Sequence, residues 1–392
     1  MISRTLATAV AAFLLLLPTS GVGAQSLFSV GGLGAPVEPL DARARGVGSV
    51  GVGLFGHTLS ARDPAAAAGL LVPTVAVSLQ STSGSGVSPG GSVGLDATRF
   101  PLMAAAYPAG ERTALTLSYG GFLEQRWTVE RSGLVDLPGG PLEVNDTFRS
   151  DGGVSTLHLG VARRFGSILG VGVAAGLHTG QIRRTLVREF GIDEDQDQVS
   201  PFVASGAWTV TAPTLVAGVT LDPSAFIRIA ASAAWSGDLR ARPAEDQDDD
   251  LESRNFSLPL ELRVGVSGRL TPLLSATAGV SWADWGTEGM AGGGAAGEIL
   301  SWGGGLEWSG SRLLRRTAPM RVGYHATSLP FRVDGRIPSE STLAGGLGLI
   351  LAEAEGIPLA RVEVGMERGS REAGPFSENF WRTTVSLSLS GR

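Results

Sequence analysis

The chain has 392 residues, of which 57 are Gly, none is Cys and none is Lys, so all 31 basic residues are Arg. Charged residues make up 17% and the net charge is −6, against about 25% charged in an ordinary soluble domain; an acidic balance argues against nucleic-acid binding. The missing Cys removes disulfide scaffolds, thiolate metal sites and Cys nucleophiles, and after the N-terminus no apolar run reaches the roughly 20 residues that a membrane helix needs.

Residues 1–24 read as a cleaved export signal. Arg4 supplies the positive end, Leu6 to Leu17 the apolar run, and Val22-Gly23-Ala24 a small-x-small cleavage site. The mature chain is therefore expected beyond the inner membrane, with no helix to hold it there.

Residues 25–72 do not read as a lipid-crossing strand. Arg43 to Leu54 is Gly-rich and apolar, and Ser60 to Leu70 resembles a capped short helix. Asp63 can accept bonds from the free N–H groups of the first turn, and Pro64 suits the first helical position. This segment is expected to form a hatch or plug for a barrel spanning 73–392, with a periplasmic tail as the alternative.

From residue 74 onward the apolar residues alternate with period two, a strand signature. Leu258, Leu260, Leu262, Val264 and Val266 oppose Pro259, Glu261, Arg263, Gly265 and Ser267. Ala360, Val362, Val364 and Met366 oppose Arg361, Glu363, Gly365 and Glu367. Fourteen such segments are expected, at 74–83, 92–107, 111–131, 147–165, 167–187, 203–219, 224–236, 251–269, 271–285, 298–308, 317–328, 339–353, 357–368 and 379–391. A tilted membrane-crossing strand needs about 9–11 residues, while strands of soluble proteins average about 5–6. The connections alternate, six short and seven long, as in an outer-membrane barrel whose short turns face the periplasm. The fold class expected is all-β: a transmembrane antiparallel barrel of about fourteen strands with an N-terminal hatch. Trp127, Trp235, Trp282, Trp285, Trp308 and Trp381 lie towards strand ends, as an aromatic belt would. The chain ends on Arg392 rather than an aromatic residue, so recognition by the outer-membrane assembly machinery is expected to rest on Leu387 and Leu389.

Arg43, Gly46 and Gly48, followed by Asp63-Pro64-Ala65 with Leu70, form an R-A-x-G-x-G-S-x-G-V segment and an N-P-A-like box. This pair resembles the opening of the FadL-type long-chain fatty-acid transporters and of the PorV-type barrels of type IX secretion. Asp63 stands where the usual residue is Asn. The resemblance implies a fourteen-stranded barrel with a hatch, and uptake of hydrophobic molecules by lateral escape through the wall, where the third strand kinks. Gly120 and Gly121 lie in the middle of the third segment here and are the candidate gate. The alternation Tyr119, Gly121, Leu123 keeps its parity, so no one-residue bulge is expected.

Chemistry is sparse. His57, His158, His178 and His325 have no metal spacing, no Gly-x-Ser-x-Gly elbow occurs, and Glu261 with Arg263 or Arg361 with Glu363 suit charge ladders in the lumen. The acidic runs 193–197 and 245–250 could hold Ca²⁺ or simply be solvated loop ends. No enzyme, cofactor or metal is expected. The expected partners are outer-membrane lipid and a hydrophobic small molecule. The alternatives are a PorV-like barrel working with secretion-system proteins and a general diffusion porin.

Overall fold

The computed structural model describes residues 26–30, 34–56, 58–137, 140–190, 201–244, 252–286, 296–354 and 356–391. The export signal, both acidic runs, His57 and Arg392 lie outside the described residues.

Fourteen strands form a closed antiparallel wall. They are β1 (Thr74–Ser88), β2 (Gly91–Pro108), β3 (Thr113–Glu124), β4 (Gly140–Phe165), β5 (Leu169–Phe190), β6 (Phe202–Ser224) and β7 (Ile227–Ser236), followed by β8 (Glu261–Arg269), β9 (Leu274–Asp284), β10 (Glu298–Trp308), β11 (Met320–Ser328), β12 (Ser339–Ala354), β13 (Ile357–Ala373) and β14 (Phe376–Ser390). Each pairs with the next, and β14 pairs with β1 from Thr74↔Ser390 to Val87↔Ser377. Closure pairs the strand edges around the ring, as hydrocarbon demands, except along one stretch between β2 and β3.

The molecule is inside-out relative to a soluble protein. Leu159 and Leu343 are 66% and 61% exposed, whereas Glu363, Glu367 and Glu378 are 2% exposed or less. Outward apolar residues meet lipid, and inward polar ones line the lumen. The expected alternation holds on β8: Leu262, Val264 and Val266 point out, while Gly265 and Ser267 are buried within.

Several boundaries differ from the sequence reading. The third segment stops at Glu124 and resumes as Trp127–Leu137, which pairs only with β4. The segment expected at 251–269 joins the wall only from Glu261; Arg254–Phe256 pairs instead with Leu239–Pro243 at the long-loop end. Phe256 is buried, in a cluster with Phe122, Leu123, Val154 and Ile182, and Leu258 packs on it. The connections expected at 84–91 and 369–378 are mostly strand, closing in tight turns at 89–90 and 374–375. These extensions carry polar residues on both faces, so no apolar face marks them. Trp235, Trp308 and Trp381 face outward as a belt would, but Trp285 packs on the Phe256 cluster.

The N-terminal segment fills the lumen. Its helix Ala42–Gly46 contacts β11 to β14, and its 3-10 helix Pro64–Ala67 contacts β3 to β6 on the opposite arc. Much of the wall glycine content serves this fit. A Cβ at Gly303 or Gly323 would lie 2.0 Å from the Gly48 carbonyl oxygen or 2.2 Å from its amide nitrogen. Gly48 itself has φ +85°, a conformation that favours glycine.

Candidate functional site

The N-terminal segment is pinned to the wall by ion pairs. Arg43 donates from Nε and Nη2 to the Glu307 carboxylate, both at 2.8 Å. Arg45 lies 3.7 Å from Glu367, Arg62 donates to Glu261 at 2.9 Å, and Arg263 donates to Glu38 at 3.2 Å. Burial pushes the Glu38 carboxyl up, but Arg263, Arg62 and Arg45 together pull it down to about 2. The lumen ladders expected at Glu261 with Arg263 and at Arg361 with Glu363 are present, at 3.2 and 3.6 Å.

The sequence-derived residues separate into three places. Arg43, Gly46 and Gly48 lie against β10 to β12, where a Cβ on Gly46 would meet Gly346 at 3.3 Å. Asp63, Pro64 and Ala65 sit against β5 and β6, touching Gly172 and Gly218. The Asp63 carboxylate accepts from the Ala65 N–H at 3.1 Å, so the expected cap is formed. Burial pushes Asp63 up to about 7 despite the Ala65 and Ala66 N–H groups. Gly120 and Gly121 lie at the third place, a break in the wall.

This break lies between β2 and β3. Their pairing runs only from Pro108↔Ala114 to Leu102↔Gly120. Beyond it β2 pairs with β1 alone, and β3 turns inward. Pro101 stands where the pairing stops and has no N–H to offer a neighbour. Both strands are irregular here. The β1–β2 register shifts opposite Phe100-Pro101, and the β3–β4 register shifts between Gly121 and Leu123. The second shift overturns the expectation of an unbulged strand. Phe122 is the extra residue, and it points into the lumen, stacking on His178 with centroids 4.2 Å apart. His178 is held by Thr156 at 2.7 Å and Ser236 at 2.9 Å.

The N-terminal segment takes the vacated edge of β3. Ala35 and Pro36 pair with Glu124 and Leu123, and the Val37 N–H donates to the Phe122 carbonyl at 2.9 Å. The two glycines leave room for it. A Cβ at Gly120 would meet Pro39 at 2.7 Å, and one at Gly121 would meet Val37 at 2.6 Å. Arg99 of β2 reaches across to Glu124 of β3 at 2.5 Å. Behind the break lies a cavity of about 120 Å³, lined by Val37, Glu38, Arg99, Glu124, Arg263 and His325 among others. Among the described residues no three His, Asp or Glu are grouped to hold a metal.

Sequence reasoning found the glycines but missed Pro101, Phe122, Arg99, Glu124 and His178. Pro101 inside a predicted strand was the available signal, because proline is confined to strand edges and bulges.

The barrel as a whole is shared with solved structures. A Pseudomonas aeruginosa FadL homologue superposes with TM-score 0.61 at 13% identity, covering 91% of this chain and 98% of that chain. The chain has the fold of the FadL-type barrels. The P. putida toluene transporter TodX gives TM-score 0.59 at 13% identity over 91% of this chain and 99% of its own. The CymD monoaromatic hydrocarbon channel gives 0.53 at 15% over 94% and 99%. No family model matches the sequence, and no curated protein matches it.

Proposed function

We propose that this FadL-type barrel resides in the outer membrane and admits hydrophobic small molecules, which leave sideways between β2 and β3. The observation that carries the reading is the seam itself. Over Gly91–Pro101 the wall strand has a backbone partner on one side only. A hydrophobe leaving there enters lipid without crossing water, so its apolar surface stays desolvated. Gly120 and Gly121 act as the gate by letting the residues around Val37 and Pro39 seat against the wall. Arg43, Gly46, Gly48 and the Asp63-Pro64-Ala65 box hold the hatch that this seating requires.

The named neighbours include a toluene transporter and a monoaromatic hydrocarbon channel, which supports hydrophobes as the substrate class. The small cavity behind the seam favours compact molecules over long acyl chains unless the segment moves. A lumen filled and pinned by four ion pairs favours this reading over an open diffusion pore. Among the described residues nothing favours a secretion anchor. The test is mass spectrometry of a solvent extract from protein purified out of outer membranes in a detergent lacking acyl chains. A stoichiometric hydrophobe supports the reading and identifies its class; absence of any ligand with ohmic conductance in planar bilayers contradicts it.

A further inference from the structure

The connection between β10 and β11 is longer than a turn requires. It runs from Ser309 to Pro319, whereas the other connections at the short-turn end take four residues or fewer. The extra chain forms a hairpin of its own, with Arg312–Leu313 paired to Arg316–Thr317. Its turn residues, Leu314 and Arg315, have φ +51° and +64°, a conformation that L side chains adopt at a cost. Such a turn ordinarily selects Gly or Asn. This one keeps a leucine and an arginine at its tip instead.

The hairpin is basic and apolar at once. Within 309–319 three residues are Arg and none is acidic. Arg312 and Arg315 are exposed, and their side chains make no ion pair or hydrogen bond among the described residues. Arg316 donates to the Leu351 carbonyl of β12, which holds the hairpin to the wall. Leu313 is exposed and Leu314 is 79% exposed. The adjoining β8–β9 turn adds exposed Arg269, Leu270 and Leu273, and the Ser309 N–H donates to the Leu273 carbonyl at 2.7 Å. The acids closest along β12 and its turn are Glu353 and Glu355, the latter outside the described residues. With both counted as negative, the four arginines still leave this rim positive.

Its height on the barrel says what it meets. The hairpin springs from the pair Trp308↔Met320, both exposed on the outer face, and a Trp at a strand end marks the membrane–water interface. The headgroup layer beyond the hydrocarbon is about 5–8 Å deep, and an extended residue spans about 3.3 Å. Arg312 and Arg315 are therefore within reach of the phosphates. We propose that this hairpin captures an anionic phospholipid of the periplasmic leaflet. Arg312 and Arg315 take the phosphate through charge-assisted bonds, and Leu313 and Leu314 enter the acyl boundary as interfacial apolar residues do. An acidic soluble partner would answer the arginines and leave the leucines in water; a lipid answers both. The site lies on the outer rim, apart from the lumen and the seam, and stands whatever the barrel transports.

The test is hydrogen–deuterium exchange, read by peptide mass spectrometry, on the full mature protein in nanodiscs of phosphatidylglycerol or of phosphatidylcholine. Amides within 309–319 should exchange at least about tenfold more slowly with phosphatidylglycerol, because each arginine near an anionic surface gains about fivefold in binding. Arg312→Gln combined with Arg315→Gln should abolish that difference while melting like the parent in detergent, since neither side chain has a partner to lose. Glycerol phosphate or a polyglutamate peptide, added to phosphatidylcholine discs, should leave exchange unchanged. Equal exchange in the two discs, slowing that survives the double substitution, or slowing by either soluble anion to the same extent as by phosphatidylglycerol would overturn the proposal.

Discussion

Arg99 and Glu124 join two neighbouring wall strands where those strands share no backbone hydrogen bonds. The guanidinium lies 2.5 Å from the carboxylate, with the side chains 20% and 15% exposed, and the backbone pairing ends at Leu102↔Gly120. A side-chain pair therefore spans the place where main-chain bonds have been given up. Removing one partner of a buried pair costs about 3–5 kcal/mol, and this partly solvated one is expected to cost about 1–3 kcal/mol. Arg99→Gln should lower the melting temperature and speed hydrophobe release from the barrel. The exchange R99E/E124R should restore both. Melting and release rates equal to the parent in R99Q would show that the pair does not hold the seam.

Gly121→Val should displace the N-terminal segment. The new Cβ would lie 2.6 Å from Val37 Cγ1, and such overpacking costs about 1–3 kcal/mol. The expected outcome is faster proteolysis within 34–40 and a rise in single-channel conductance. A Gly121→Val protein as protease-resistant as the parent would place the segment elsewhere.

The fold was largely legible because lipid enforces an apolar face on every wall strand, and period two reveals it. All fourteen strands were found on that signal alone. The seam was hidden by the residue that permits it: Gly121 has no side chain, so the phase change at Phe122 leaves Tyr119 and Leu123 seemingly in step. Strand extensions such as Gly140–Val144 stand beyond the apolar band and lose the pattern. The partners of Arg43 and Arg45 could not be read, because which lumen glutamate faces them depends on the barrel's stagger. The Asp63 cap was legible because capping is local.

Acid should release the N-terminal segment. Glu38 has its folded pKa drawn down to about 2, first against burial and then by Arg263, Arg62 and Arg45. Its stabilisation is present above the ordinary value of 4.5 and is lost as pH falls towards 2. Protease accessibility of residues 34–40 should rise over that window and should rise less in Glu38→Gln. Accessibility unchanged down to pH 2 would contradict this.

Asp63 has the opposite sign. Burial lifts it to about 7, so its ionisation opposes folding. Its contribution is most favourable below the ordinary value of 3.8 and declines as pH rises through about 7. Asn keeps the cap without the charge, so Asp63→Asn should stabilise the protein by about 1 kcal/mol or more at pH 8. The gain should vanish near pH 4. Thermal melts at the two pH values decide this, and an equal effect at both would refute it.

The central claim is that hydrophobes leave between β2 and β3, past residues 35–39. Pro36 and Leu123 are paired directly, two residues of one non-hydrogen-bonded step beside the Val37–Phe122 bond. Such pairs have Cα atoms about 4.5 Å apart, within disulfide reach. The chain has no Cys, so P36C/L123C introduces one bond without competitors. The measurement is uptake of a radiolabelled aromatic hydrocarbon by cells expressing this variant, oxidised and then reduced. Uptake that stops on oxidation and returns on reduction is the predicted result; equal uptake in both states, with the disulfide verified, would contradict the lateral route.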